Sequence, residues 1–400
     1  MGEFKITSLL SFHLILLITC SLVFSEKIIQ DNYIMVSRFC ISFTLDDSTE
    51  ITYFEINQQL QDSYYNVLFN QETFIKEVEE ITINSTNYKR NLNKGIIRIG
   101  DAEVANINYY SIPQSPPENV KYSGFTLALN PTNDTFSIVH QLYNNKQINK
   151  LVYAFEPIND LVGYFYIGGV PQEILTNKSS AYCKVGGSDW GCELESVYFS
   201  DMNKAKVKYL FKNKKNYHAF FQGGIETINA PVEYIEYLKN TIFKKYLESG
   251  DCVFEQLGLL FVNGFRCNNG NNIIESLPRF MNFIINDYVL SIPIQSLLYS
   301  YRGEGKEKNI LFLVTQSLEN GEEDTWTLGA LFLNSFISIF EYENKVVTFY
   351  SSTKIEKGSE LLSQFGLILT FIFTNMLLLI GIVIILFSSI NKYKNFRVSC

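Results

Sequence analysis

Between Phe365 and Phe387 the chain carries no charged side chain, and Asn375 is its sole amide. As a helix rising ~1.5 Å per residue, this run is ~34 Å long, enough to cross the hydrocarbon core of a bilayer. No other stretch constrains the fold as strongly. A span over residues 365–390 commits everything before it to one side of a membrane and leaves residues 391–400 on the other. Lys392, Lys394 and Arg397 follow at once, and positive charge beside a span marks the cytoplasmic side. A removable lipid-anchor signal would instead end in its apolar tail.

The amino end fits a type I arrangement. Residues 1–25 hold Lys5, an apolar run from Leu9 to Val23, and Val23-Phe24-Ser25 as a small-residue cleavage site, the pattern of a secretory signal peptide. A retained N-terminal anchor is the alternative. The intervening chain is therefore expected outside the cell or in the lumen of the secretory or endolysosomal system, tethered by a single pass. Its size suits a globular body, as does the 46% hydrophobic and 18% charged content of the whole 400-residue chain. The net charge of −8 argues against a nucleic-acid partner, which needs a basic face.

An oxidising compartment gives the cysteines a role. Cys183 and Cys192 are close in sequence, as are Cys252 and Cys267, so each pair can clip a local loop. Cys40 is left odd and is a candidate for an intermolecular disulfide. No C-x-x-C occurs, and the ectodomain histidines are His140 and His218, so no zinc site is expected. Neither a P-loop nor a dinucleotide fingerprint is present, and no cofactor is expected. Sequons stand at Asn84, Asn133 and Asn177, all on the side expected to be lumenal.

Between the two ends the pattern is mainly β. Ile34-Met35-Val36, Phe39 to Phe43 and Ile51-Thr52-Tyr53-Phe54 are rich in β-branched and aromatic residues and are broken by Asp46-Asp47-Ser48, which reads as a hairpin. Trp190 to Phe199 alternates with a period of two, as a half-buried strand does. From Val232 to Tyr246 the apolar residues Ile235, Leu238, Ile242 and Phe243 recur at helical spacing, predicting one helix.

Several of these segments, in order, resemble landmarks of the pepsin-like aspartic protease family. Tyr122-Ser123-Gly124-Phe125-Thr126-Leu127-Ala128-Leu129 is similar to that family's Phe-Asp-Gly-Ile-Leu-Gly-Leu-Gly, with Ser123 replacing its aspartate. Val162 to Pro171 resembles the hairpin strand that closes the N-lobe, and Trp190 to Phe199 the strand that opens the C-lobe. Trp326-Thr327-Leu328-Gly329-Ala330-Leu331-Phe332 is similar to Trp-x-Leu-Gly-Asp-x-Phe near the family's end, with Ala330 again replacing an aspartate. Ala219 to Pro231 resembles the second catalytic loop, where two apolar residues lead into Asp-Thr-Gly and an apolar run ends in proline. Here Gln222 stands at the aspartate's place, followed by Gly223 and Gly224. In the first loop the best match to the aspartate is Asn57, and no register gives Asp-Thr-Gly or Asp-Ser-Gly. Tyr88, in the polar hairpin expected between Asn84 and Asn93, stands in for the tyrosine of the flap.

The resemblance implies an all-β, two-lobed fold, mainly β with short helices, plus the C-terminal transmembrane helix. It implies an N-lobe over 26–178, a C-lobe over 179–354 and a juxtamembrane linker over 355–364. Aspartic proteolysis uses two carboxylates about 3 Å apart that share one proton. An amide at 222 and another at 57 titrate nowhere near neutrality, so neither activates water nor donates an acidic proton. The expectation is a catalytically inactive homologue that keeps the loop's backbone and binds a peptide, glycan or protein partner around Tyr88, Gly223, Gly224 and Glu226. The alternatives are a divergent active endopeptidase using Glu226 with Glu55 or Asp62, and a structural surface antigen. A triad built on His140 or His218 is disfavoured.

Overall fold

Fifteen per cent of the chain is aromatic, and its apolar runs are short and separated by polar turns, which is the composition of strands packed face to face rather than of long helices. The computed structural model describes residues 137–158, 162–186, 189–201, 207–257, 262–268, 270–302, 308–317, 325–359 and 373–383, and before residue 137 the strand segments alone. Those early strands are β1 (Cys20–Val23), β2 (Cys40–Leu45), β3 (Thr52–Asn57), β4 (Tyr64–Tyr65), β5 (Phe74–Ile83), β6 (Thr86–Ile99), β7 (Ala102–Ser111) and β8 (Phe125–Ala128). Helix α1 (Ile138–Asn144), strands β9 (Val152–Pro157) and β10 (Val162–Ile167), helix α2 (Gln172–Leu175) and strand β11 (Ser179–Lys184) follow. Next come β12 (Gly191–Ser200), β13 (Val207–Phe221), β14 (Ile228–Asn229), α3 (Val232–Asn240), α4 (Lys244–Glu248), β15 (Cys252–Gln256) and β16 (Val262–Cys267). The chain then forms α5 (Gly270–Ser276), β17 (Phe280–Ile285), β18 (Tyr288–Pro293), β19 (Leu298–Arg302), β20 (Lys308–Ser317), β21 (Trp326–Leu328), α6 (Ala330–Leu333), β22 (Ile337–Glu341), β23 (Val346–Ser351) and β24 (Glu356–Lys357).

Two large sheets result. One runs β11-β23-β22-β9-β10-β1-β2-β3-β8-β4-β7-β6-β5, the other β15-β16-β20-β14-β21-β13-β12-β17-β18-β24 with β19 beside β20. The first mixes early and late chain, because β22 lies antiparallel to β9 with Ser338 facing Phe155. Beneath that junction Tyr153 stacks on Phe340 at 4.6 Å, and Trp190 meets both edge-on at 5.8 and 5.2 Å. All three rings are buried, each stabilising the body by about 1.5–3 kcal/mol of apolar transfer. Strand β1 falls within the stretch read as a leader and pairs with β10, Cys20 facing Phe165.

Turns follow from local chemistry. Asn286 and Asp287, with φ of 50° and 63°, join β17 to β18 in the left-handed conformation a two-residue hairpin needs and that Asn and Asp tolerate. Both expected disulfides form: Cys183–Cys192 ties β11 of the first sheet to β12 of the second, and Cys252–Cys267 closes the β15–β16 hairpin.

The helix predicted over 232–246 is two helices. α3 stops at Asn240, Thr241 leaves helical geometry at φ −120° and ψ −85°, and the Phe243 amide reaches back to the Leu238 carbonyl. The break turns Phe243 to stack on Phe265 at 4.1 Å while Ile242 stays buried as well. A straight helix of that spacing has no reason to stop, so the tertiary contact decides it.

Among the described residues no helix is long and apolar enough to cross a membrane. Of the expected span, residues 373–383 are described; they are helical, and Phe373, Leu378 and Leu379 are each more than 60% exposed. The rest of 365–390 lies outside the described residues. Of the stretch expected as a linker, residues 355–359 are held to the body through β24, which pairs with β18.

Candidate functional site

Strand β13 delivers the Gln222 loop to the centre of the second sheet. It runs parallel to β21, placing Phe221 opposite Leu328, and after the loop β14 returns antiparallel on the other side of β21, placing Ile228 opposite the same Leu328. The loop of residues 222–227 therefore straddles the end of β21. The same crossing occurs in the first sheet: β3 runs parallel to β8 with Ile56 facing Leu127 and Asn57 facing Ala128, and β4 returns antiparallel with Tyr64 facing Thr126.

Backbone contacts hold the loop's shape. The Gln222 amide donates to the Leu328 carbonyl at 3.1 Å, and the Ile225 amide closes a turn onto the Gln222 carbonyl at 3.2 Å. From the far side, the amides of Ala330 and Leu331 donate to the carbonyls of Ile225 and Glu226 at 2.6 and 3.3 Å. Gly329 lies between: a Cβ there would sit 2.2 Å from the Thr227 carbonyl oxygen and 2.3 Å from that of Ile225. Its φ of −77° suits any residue, so space and not conformation demands glycine.

Gln222 is 5% exposed and Glu226 4% exposed, with Gly223 and Gly224 buried between them. Among the described residues the Gln222 Oε1 has no hydrogen-bond partner. A buried amide oxygen left unpaired by protein groups costs about 1–3 kcal/mol.

A polar cluster that the sequence pattern did not single out supports the loop's exit. Thr227, Asn229 and Thr315 are all buried; the Thr227 hydroxyl donates to Asn229 Oδ1 at 2.9 Å, and the Thr315 hydroxyl reaches the same oxygen at 2.7 Å and Thr227 Oγ1 at 3.0 Å. β14 lies parallel to β20 here, with Asn229 facing Thr315. The available signal was Thr315 interrupting Ile310 to Val314, a continuous apolar run that marks a strand buried on both faces.

Tyr88 lies in β6 facing Ile81, and its side chain, like those of Asn57, Glu55 and Asp62, falls outside the described residues. The flap-like hairpin turns between Ile83 and Thr86, so most of the stretch expected as its tip, from Asn87 to Asn93, is strand. His218 is exposed on β13 opposite Glu193, and His140 sits in α1 with its ring edge-on to Tyr342 at 4.6 Å. Asn177 is exposed in a left-handed turn after α2, while Asn84, Asn133 and the side chain of Cys40 lie outside the described residues. Among the described residues no three His, Cys, Asp or Glu side chains converge to hold a metal.

The family model for eukaryotic aspartyl protease matches residues 63–351, more than half of the chain. That match takes in the Gln222 loop and begins after β3 and Asn57. No curated protein matches. Among solved structures, the crystal structure of aspartic proteinase from Irpex lacteus is similar, with 12% sequence identity and a TM-score of 0.59 over 83% of this chain and 97% of that one, a likeness of fold.

Proposed function

Because the chain belongs to the eukaryotic aspartyl protease family, we propose that it is a member without peptidase activity, anchored by a single membrane span, whose interlobe cleft or surface binds a peptide, glycan or protein. The observation that carries this reading is Gln222 at the start of the loop straddling β21. The half-motif in the first sheet supports the assignment of its partner. Laying Thr126-Leu127 over Thr327-Leu328 puts Ile56 on Phe221 and Asn57 on Gln222, and in both halves the returning strand faces the threonine seven residues on, through Tyr64 and Asn229. Both ends of the required proton-sharing pair are then amides. Neither titrates, so no general base forms to deprotonate water and no acid protonates the leaving nitrogen. Glu226 lies four residues past Gln222, and a displacement of several ångströms is enough to lose catalysis.

The apolar, exposed surface of residues 373–383 supports the anchor, since a helix hydrophobic all round needs lipid or protein around it. The ectodomain is then lumenal or extracellular.

The test is peptide-library cleavage by the purified full chain at acid pH, with and without pepstatin. No cleavage is expected. Cleavage that disappears in Glu226→Gln or Asp62→Asn would overturn the reading in favour of a divergent endopeptidase. Asn57→Asp combined with Gln222→Asp restores two carboxylates, and a gain of pepstatin-sensitive cleavage in that double variant alone supports the placement of both positions.

A further inference from the structure

Where the chain leaves the body, it is clamped. The Ile355 amide donates to Ser179 Oγ at 3.0 Å, and Lys357 of β24 faces Tyr288 of β18. Beyond β24 the Gly358 amide donates to the Asp287 carbonyl at 2.7 Å. The Asp287 carboxylate then takes both groups of the next residue, accepting the Ser359 amide at 2.7 Å on one oxygen and the Ser359 hydroxyl at 2.8 Å on the other. Asp287 is itself fixed, since its amide donates to a Glu195 carboxylate oxygen at 2.7 Å. Last of all, the Asn286 side-chain amide donates to the Tyr182 carbonyl at 2.9 Å, joining β11 to the same corner.

That corner is amphipathic. The Tyr182 ring, 48% exposed on the edge strand β11, lies 5.7 Å from the Tyr288 ring. Lys184, two residues along the same face of β11, and Lys357 are exposed beside them. Tyrosines with a free polar end, flanked by lysines whose stems are apolar, are the side chains found at a membrane–water interface.

Chain length brings the corner to the bilayer. Five residues separate Ser359 from Phe365, the first residue of the apolar run, which makes six residue steps. They cover ~9 Å if helical and ~20 Å at full extension, against a headgroup layer of ~5–7 Å on each side. With Ser359 pinned to Asp287, neighbouring side chains stand at the same height.

We propose that the corner formed by Tyr182, Asn286, Tyr288 and Lys357 is a docking face for phospholipid headgroups, which sets how the ectodomain stands on its membrane. This rests on the reading of residues 365–390 as a span. The clamp fixes the exit point of the chain on the β17–β18 corner, and the tyrosine pair beside that exit seats in the headgroup layer.

The experiment places the full chain in phosphatidylcholine nanodiscs containing a lipid that carries a nitroxide just below the headgroup, and reads tryptophan quenching. Both natural tryptophans, Trp190 and Trp326, are buried and give a common background. Tyr182→Trp puts a reporter on the corner. Val253→Trp puts one at 37% exposure on β15, at the opposite end of the second sheet from β24, about 40 Å away along the sheet at ~4.8 Å per strand. Tyr182→Trp is expected to be quenched several-fold more than Val253→Trp. Adding Asp287→Gly, which keeps the left-handed turn and releases Ser359, should bring the two values together. Equal quenching of the two reporters in chains that stay with the discs would overturn the docking face and leave the span intact. A chain that does not stay with the lipid would overturn the span and the face together.

Discussion

Gly329→Ala tests whether the site loop is shaped from behind. The new Cβ would lie 2.2 and 2.3 Å from two backbone oxygens, whereas carbon and oxygen do not normally approach closer than ~3 Å. No rotamer relieves the overlap, because both the added atom and its neighbours belong to the backbone. The loop must lift, stretching the bond from Ala330 to the Ile225 oxygen, one of the two atoms in the contact, and the neighbouring bond from Leu331 to Glu226. Overpacking of this kind costs about 1–3 kcal/mol, and the weakening of two buried hydrogen bonds adds about 1–2 more. A total near 3 kcal/mol lowers the midpoint of thermal unfolding by about 6–12 °C, on the scaling for domains of a few hundred residues. The assay is intrinsic fluorescence on heating, since buried Trp326 lies three residues away and reports on this region. Gly169→Ala is the control, as its Cβ would have nothing within 4 Å, and it should shift the midpoint hardly at all. Equal midpoints for the two variants would refute the claim that Gly329 is kept for the loop.

Thr315→Val keeps the shape and removes the hydroxyl that reaches Asn229 and Thr227; because Thr227 still donates to Asn229, the loss should be about 1 kcal/mol, read as a small drop in melting temperature. Cys252→Ser with Cys267→Ser opens a link spanning 15 residues and should cost about 3 kcal/mol by chain entropy, while non-reducing peptide maps of the parent chain should show 183–192 and 252–267 as separate pairs. Burial, with a smaller push from Glu356, raises the Tyr198 phenol from 10.0 to about 12, and its oxygen has no partner among the described residues. The folded chain then holds a proton that the unfolded chain has released, so this group's contribution falls as pH rises from about 10 to about 12. Tyr198→Phe should be neutral or slightly stabilising at pH 7 and should flatten the alkaline fall in melting temperature, whereas a clear loss at pH 7 would show a hidden partner for the hydroxyl.

What was readable in the residues was whatever depends on near neighbours. The two close cysteine pairs appear in the fold where their local chemistry places them. The strand predicted from Trp190 to Phe199 forms, but its burial alternates with a period of two only from Cys192 to Ser196 and is continuous beyond, because β13 and β17 flank it and both faces are covered. Three features needed the whole chain. The break after Asn240 is set by Phe265, which lies on another strand. The contact of Gly329 with the loop joins residues about a hundred positions apart, and the Thr227–Asn229–Thr315 cluster joins β14 to β20. On the proposed reading, in which Gln222 stands where the family places an acid, those long-range contacts account for its being tolerated. The loop is held by main-chain bonds to Leu328, Ala330 and Leu331 and by the missing side chain of Gly329, and none of these senses what residue 222 carries. On that reading shape and acid are specified by separate parts of the chain, so an acid could be lost while the loop remained, and the double variant at 57 and 222 asks whether the loop's shape suffices for the chemistry.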